Sequence, residues 1–344
     1  MHIPDGFIDM PTAALTGAVS LGVVAYSVRR IGRDLGERTV PLLGVTAAFI
    51  FAAQMVNFPI AGGTSGHLLG ATLAAALMGP WAATVVMTVV VVVQALGMAD
   101  GGLTALGANI VNMGIVAVLA GWGLLNLLKK LVPRSFAGYL VALAVASWTS
   151  VIAAAAAASL ELGVSATVPL RAALPAMLSV HMVIGLGEAL ITCAVVAAVL
   201  AARPDLVASL DPGGDAGRGT EPTAAEAVPL STRTAARMRF WSFIGGALVV
   251  ATALAVFIAP FASGAPDGLE RVAVDEGFET AAAGQPAWDL SPLGDYRFPW
   301  ISDERAATAA AGLAGTIMLF AVVLLIGRTV GRRRLRSGER SDSG

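Results

Sequence analysis

The sequence predicts an all-α polytopic membrane protein, with a bundle of about seven helices followed by two further transmembrane helices that flank an external segment. Three observations lead there. Hydrophobic residues make up 56% of the chain and charged residues only 13%, a balance foreign to soluble globules. The apolar residues are gathered into runs near the ~20 residues that a bilayer requires. The basic residues alternate between the ends of those runs, as they do when they mark the cytoplasmic side.

Taken in order, the runs are Thr12 to Val28, Val40 to Phe58, Trp81 to Leu96, Leu103 to Leu128, Phe136 to Leu160, Ala172 to Ala201, Trp241 to Ala259 and Ala306 to Ile326. A ninth run, His67 to Met78, is too short to span and stops at Gly79-Pro80, where a helix breaks. It reads as a half-depth helix packed against its neighbours. Between Arg203 and Arg239 the chain turns to Gly, Pro, Ala, Thr and acidic residues, the composition of a linker. The predicted division is a membrane domain over 1–202, a cytoplasmic linker over 203–238, a unit over 239–330 made of helix, external segment (260–304) and helix, and a basic cytoplasmic tail over 331–344. Alanine-rich stretches such as Ala153 to Ala158 allow close helix packing in lipid.

Alternating the ends of the runs places all but Arg171, Arg271, Arg297 and Arg305 of the 22 Lys and Arg on one side. That side is predicted to be cytoplasmic, in a bacterial plasma membrane. The N-terminus, the loops near Gly62, Asp100 and Glu161, and the segment Phe261 to Asp303 then face outward, and the C-terminus faces the cytoplasm. No basic region precedes the first run, where Asp5 and Asp9 sit instead, so it does not read as a signal peptide. Met1 is expected to stay, since the bulky His2 hinders its removal.

The opening Met1-His2-Ile3-Pro4-Asp5-Gly6 carries the sharpest chemistry. A terminal amine, the His2 backbone nitrogen and the His2 imidazole can close two fused rings around one ion. Such a nitrogen set suits Ni(II), Cu(II) or low-spin Co(II) better than Zn, Mg or Ca. His67 is the obvious fourth ligand: the chain has three histidines, and the topology puts Met1, His2 and His67 at one face. The preceding Gly62 to Gly66 loop lets backbones approach closely, and His67 stands at a helix start. A solvated His67 in a polar loop is the competing reading.

Other polar groups sit inside apolar runs, where they are expensive. Asn109 and Asn112 share one helix face, and His181 and Glu188 lie two turns apart on nearly the same face. At the helical rise of about 1.5 Å per residue those two cannot share an ion, and all four read as supporting hydrogen-bonding groups. Cys193 reads as a small packing residue.

Four stretches together resemble the CbiM/NikM family, the substrate-binding membrane components of energy-coupling factor (ECF) transporters for cobalt and nickel. They are the opening hexapeptide, Ser65-Gly66-His67-Leu68-Leu69-Gly70, Asn109 to Gly114, and His181 to Ala189. The resemblance implies metal held by the Met1 amine, the His2 backbone and ring nitrogens, and His67. It also implies import with a transmembrane coupling (T) protein and a cytoplasmic ATPase, since no phosphate-binding Gly-x-x-x-x-Gly-Lys is present here. Farther on, Pro266-Asp267-Gly268-Leu269-Glu270 resembles the PDGLE domain, a separate subunit in related systems and fused here. The small-subunit sequence familiar from cobalt systems is not found, which leaves nickel and cobalt both open. The chain is expected to be no enzyme, to carry Ni(II) or Co(II) as substrate with no organic cofactor, and to bind lipid rather than nucleic acid. Two rivals stand beside this. Gly63-Thr64-Ser65-Gly66 has the form used by rhomboid-type intramembrane proteases, with His181 as base; a metal-independent permease on the same scaffold is the other.

Overall fold

The computed structural model describes residues 1–32, 39–210, 230–282, 287, 288 and 290–341. Nearly all of it is helical. Asp9 opens α1 (Met10–Ile31) by accepting the Thr12 N–H at 2.9 Å, an acidic N-cap satisfying an otherwise orphan donor. The second helix, α2 (Thr39–Gln54), is apolar on every face and buried on nearly all of them, as a central helix must be. α3 (Ala71–Met78) is short and wholly buried. It ends at Gly79 in a left-handed turn (φ 77°), and Pro80 at once opens α4 (Pro80–Met98). α5 (Leu106–Leu128), α6 (Phe136–Val164) and α7 (Leu170–Ala202) complete seven helices before residue 203. α8 starts at Leu230 and runs on to Phe261; α9 (Gly268–Asp275) is a short helix, and α10 spans Glu304–Ser341.

Among the described residues, seven helices are long and apolar enough to cross a membrane, and α2 is a shorter apolar helix. Their outer faces remain apolar: Leu15 and Leu21 of α1, Leu186 and Leu190 of α7 and Leu325 of α10 are all more than half exposed. Apolar surface on this scale matches a lipid environment rather than water. Inside, glycines set the spacing. A Cβ on Gly315 of α10 would lie 2.3 Å from the Phe51 ring of α2, and one on Gly107 of α5 would lie 2.4 Å from the Gly17 backbone of α1, the close approach that packs helices where no hydrophobic force separates lipid from protein. Through Gly315 and Gly327, which abuts Val40, the last helix of the chain packs against α2 in the middle of the bundle.

Several expectations are corrected. The second run stops being helical at Gln54, because Phe58–Ile60 (β1) pairs antiparallel with Thr64–Gly66 (β2), Phe58 opposite Gly66 and Ile60 opposite Thr64. The glycine-rich loop is therefore a tight hairpin whose turn uses Gly62 and Gly63 at φ 81° and 71°, a conformation glycine adopts freely. His67 does not start a helix: α3 begins four residues later, and His67 to Gly70 form an extended strap. Glu161 is in no loop but inside α6, buried, accepting from Asn112 Nδ2 at 2.6 Å. Helix α8 begins within the predicted linker, in an Ala- and Arg-containing stretch of good helix formers; positions 211–229 lie outside the described residues. The basic tail continues α10 as helix to Ser341, and 342–344 lie outside the described residues.

Candidate metal centre

The chain's first nine residues thread into one end of the bundle. Asn109 grips them on both sides, with Oδ1 accepting the Ile3 N–H at 2.8 Å and Nδ2 donating to the Ile3 carbonyl at 3.0 Å. The Gly102 N–H also donates to Ile3 O, at 2.8 Å. Any Cβ on Gly102 would lie 2.2 Å from the Asp5 nitrogen, so that position has to be glycine. Ile3 and Phe7 are buried, and the strap sits as a plug.

This seating places Met1 and His2 where the helices end. The Met1 ammonium pairs with Asp267 Oδ2. The other oxygen, Oδ1, accepts the Leu269 and Glu270 N–H groups at 2.8 and 2.9 Å and caps α9, while Glu270 Oε2 accepts the Asp267 N–H at 2.9 Å. One carboxylate thus closes a capping box and neutralises a buried cation. Burial works to raise the Asp267 carboxyl, but the adjacent ammonium outweighs it and holds the group well below the usual carboxylate range. Burial, reinforced by Asp267, pushes Glu270 up.

His2 Nε2 lies 3.1 Å from Gln94 Oε1. The Gln94 amide nitrogen is already committed, donating to Gln54 Oε1 at 2.7 Å and to the Tyr296 hydroxyl at 3.1 Å. The Gln94 oxygen therefore accepts, and His2 Nε2 carries the hydrogen. That assignment leaves Nδ1 as the ring nitrogen able to join the backbone nitrogen in a chelate. Nδ1 faces Asp100 Oδ1 at 3.1 Å, and the Tyr296 hydroxyl donates to Asp100 Oδ2 at 2.5 Å. Burial and the neighbouring Asp100 push the Tyr296 phenol well up, so it stays a donor. Gln94 opens the wide turn Gln94–Met98 that ends α4, the kind of helical irregularity that re-aims side chains at functional positions.

His67 stacks against His2, ring centroids 5.9 Å apart and planes 25° from parallel. Its Nδ1 donates to the Leu68 carbonyl at 2.9 Å, leaving Nε2 with its lone pair. Burial, the Met1 ammonium and His2 together push the His67 imidazole down to about 4, so it is neutral and ready to ligate at neutral pH. The strap carrying it is held from below: Glu188 on α7 accepts the Leu69 and Gly70 N–H groups at 2.6 and 2.9 Å. Gly70, at φ 84°, can take the left-handed conformation that this clamp imposes.

The seven residues singled out from sequence thus fall into distinct places. Met1, His2 and His67 converge. Asn109 holds the N-terminal strap and Glu188 the His67 strap; His181 lines a small void with Met1 and His67. Asn112 turns away to Glu161. Among the described residues no three His, Cys, Asp or Glu side chains gather to hold an ion. Sequence reasoning missed Gln54, Gln94, Asp100, Asp267 and Tyr296. The two glutamines carried a signal, as polar residues inside apolar runs; Asp267 stood out within the PDGLE motif, but nothing local pointed to its partner 266 positions away. A cavity of about 390 Å³ lined by His2, His67, Asp100, Asp267, Glu270 and Tyr296 leads to the cluster.

A helical membrane bundle with its N-terminus folded into a nitrogen-rich pocket defines the class: polytopic membrane proteins of the transition-metal uptake type. The chain belongs to the CbiM family, whose model, the cobalt uptake substrate-specific transmembrane region, matches residues 2–206, and it carries a PDGLE domain matched over 241–332. It is 35% identical to the putative fused nickel transport protein NikMN of Archaeoglobus fulgidus, over 94% of this chain and 96% of that one. With the fused nickel transport protein NikMN of Rhodobacter capsulatus it shares 32% identity over 97% and 99%. A crystal structure described as a truncated transition metal transporter superposes with a TM-score of 0.54 at 35% identity, covering 58% of this chain and 99% of that one.

Proposed function

We propose that this chain captures Ni(II) or Co(II) at the outer face of a bacterial plasma membrane and delivers it inward as the substrate-binding component of an ECF-type importer. The ion is held by the Met1 amine, the His2 backbone nitrogen and Nδ1, and His67 Nε2. The observation that carries this reading is the stacking of the His2 and His67 rings at 5.9 Å beside the seated Met1 amine. Loading requires the Met1 ammonium and the His2 backbone amide each to release a proton as the ion takes their nitrogens, while Nδ1 offers its lone pair, so binding and proton release are coupled. Asp267 and Asp100 face those two positions, and Gln94 fixes the His2 tautomer. A T-type coupling protein and a cytoplasmic ATPase supply the inward step. The PDGLE unit, through Asp267, completes the wall of the site.

The protease alternative finds no support in the geometry. Ser65 Oγ is spent on the Ala265 carbonyl at 2.7 Å and His181 Nδ1 on the Met177 carbonyl at 2.7 Å.

Calorimetry with Ni(II) and Co(II) tests the proposal on three proteins: the chain with a free Met1 amine, one with a single residue added before Met1, and His67→Ala. Each change is expected to weaken binding more than about 100-fold. Unchanged binding in both would overturn the reading.

A further inference from the structure

The His2 ring stands between two acceptors, Gln94 Oε1 at 3.1 Å from Nε2 and Asp100 Oδ1 at 3.1 Å from Nδ1. A neutral imidazole has one hydrogen to give. Given to Gln94, it leaves the Nδ1 lone pair open to an ion; given to Asp100, it closes Nδ1. One side chain of the PDGLE unit reaches both of these residues. The Tyr296 hydroxyl accepts from Gln94 Nε2 at 3.1 Å and donates to Asp100 Oδ2 at 2.5 Å. Because its oxygen receives the Gln94 hydrogen, its own single hydrogen goes to Asp100, and the four residues close a ring of contacts. Tyr296 is held there against its backbone preference. Asp295 and Tyr296 have φ of 53° and 55°, a left-handed conformation that residues with side chains rarely adopt and that persists where the surroundings over-determine it. Here the Leu293 N–H donates to the Gly97 carbonyl at 3.0 Å, fastening the external segment to the wide turn that carries Gln94. The Tyr296 ring lies 6.0 Å from the Phe51 ring.

We propose that Tyr296 is a positioning residue for metal loading: its hydroxyl takes up part of the Asp100 charge, so that the His2 hydrogen goes to Gln94 and Nδ1 stays open to the ion. A carboxylate anion stabilised by a hydrogen bond on one oxygen pulls less on a hydrogen facing the other. Without the hydroxyl, Asp100 draws the hydrogen to Nδ1, and an entering ion has to displace it. Tyr296 therefore acts on the ion through Asp100 and His2. This inference rests on the metal-capture reading above, and it gives the fused PDGLE unit a part in loading the site as well as in walling it.

The test uses the full chain and Tyr296→Phe, which keeps the ring beside Phe51 and removes only the hydroxyl. Calorimetry with Ni(II) is expected to show affinity lowered at least about 10-fold. Adding Asp100→Ala, which takes away the competing acceptor, is expected to restore most of that loss, a rescue that a merely structural role would not give. Nitrogen NMR on metal-free protein labelled at its three histidines reads the tautomer directly. In the parent, His67 and His181 carry hydrogen on Nδ1 and His2 on Nε2; in Tyr296→Phe the Nε2–H signal is expected to give way to a third Nδ1–H. The inference is overturned by unchanged Ni(II) affinity in Tyr296→Phe, by a loss that Asp100→Ala does not restore, or by a His2 ring that keeps its Nε2–H signal. Failure of the capture reading shows separately, as tight Ni(II) binding by the parent that survives extension of the native N-terminus.

Discussion

His67 lies between two demands, burial beside a cation and availability to a metal, and both favour its neutral form. Its imidazole is held near 4 against an ordinary 6.5, so between those values the unfolded chain binds more protons than the folded one. Stability therefore rises with pH through about 4 to 6.5. Thermal unfolding of the metal-free protein at pH 5 and pH 7.5 should show a larger drop on acidification than in His67→Ala; equal drops would contradict the assignment. Asn109 and Glu188 act on the ligands through backbone. Asn109→Ala strands the Ile3 N–H, at a cost of about 1–3 kcal/mol, and should weaken Ni(II) binding about 10- to 100-fold. Glu188→Gln turns an amide N–H toward a backbone N–H and should lower affinity over the same range. Calorimetry on the two variants, with melting curves alongside, separates a displaced ligand from a lost fold.

Among the elements, several stretches of irregular backbone build the site. The wide turn ending α4 aims Gln94 at His2, the break at Gly70 lets Glu188 clamp the His67 strap, and the β1–β2 hairpin presents Ser65 to the PDGLE segment, its N–H donating to the Pro266 carbonyl at 2.9 Å. Away from the site, helix packing depends on missing side chains. Gly315→Val would force methyl groups into the Phe51 ring and should cost about 1–3 kcal/mol. A melting point in detergent unchanged from the parent would show that α10 is not seated against α2.

At the scale of the whole molecule, the second part of the chain is a structural partner of the first. α10 packs against α2 inside the bundle, and Asp267 holds the Met1 ammonium at one end of it. Co-expressed as separate chains, 1–210 and 230–344 should therefore copurify through size exclusion in detergent. Independent migration of the two pieces would contradict the packing. Asp267→Ala should weaken their association little, since the helix contacts remain, but should disturb the seating of the N-terminus and with it Ni(II) affinity.

Membrane class and the seven helices before residue 203 were legible in the linear sequence, because burial in lipid writes itself into apolar run length; the short helix α9 was not. Asn109, His181 and Glu188 were legible as polar groups in apolar runs, but not the jobs they do. Which backbone Glu188 clamps, that Asp267 meets the ammonium, that Gln94 sets the His2 tautomer, and that the glycine-rich loop is a hairpin were decided only by tertiary structure. Those contacts join positions far apart in the chain, or depend on dihedral angles that composition does not specify. No local pattern encodes them, and only the packing of α2, α7, α9 and α10 around one pocket brings them together.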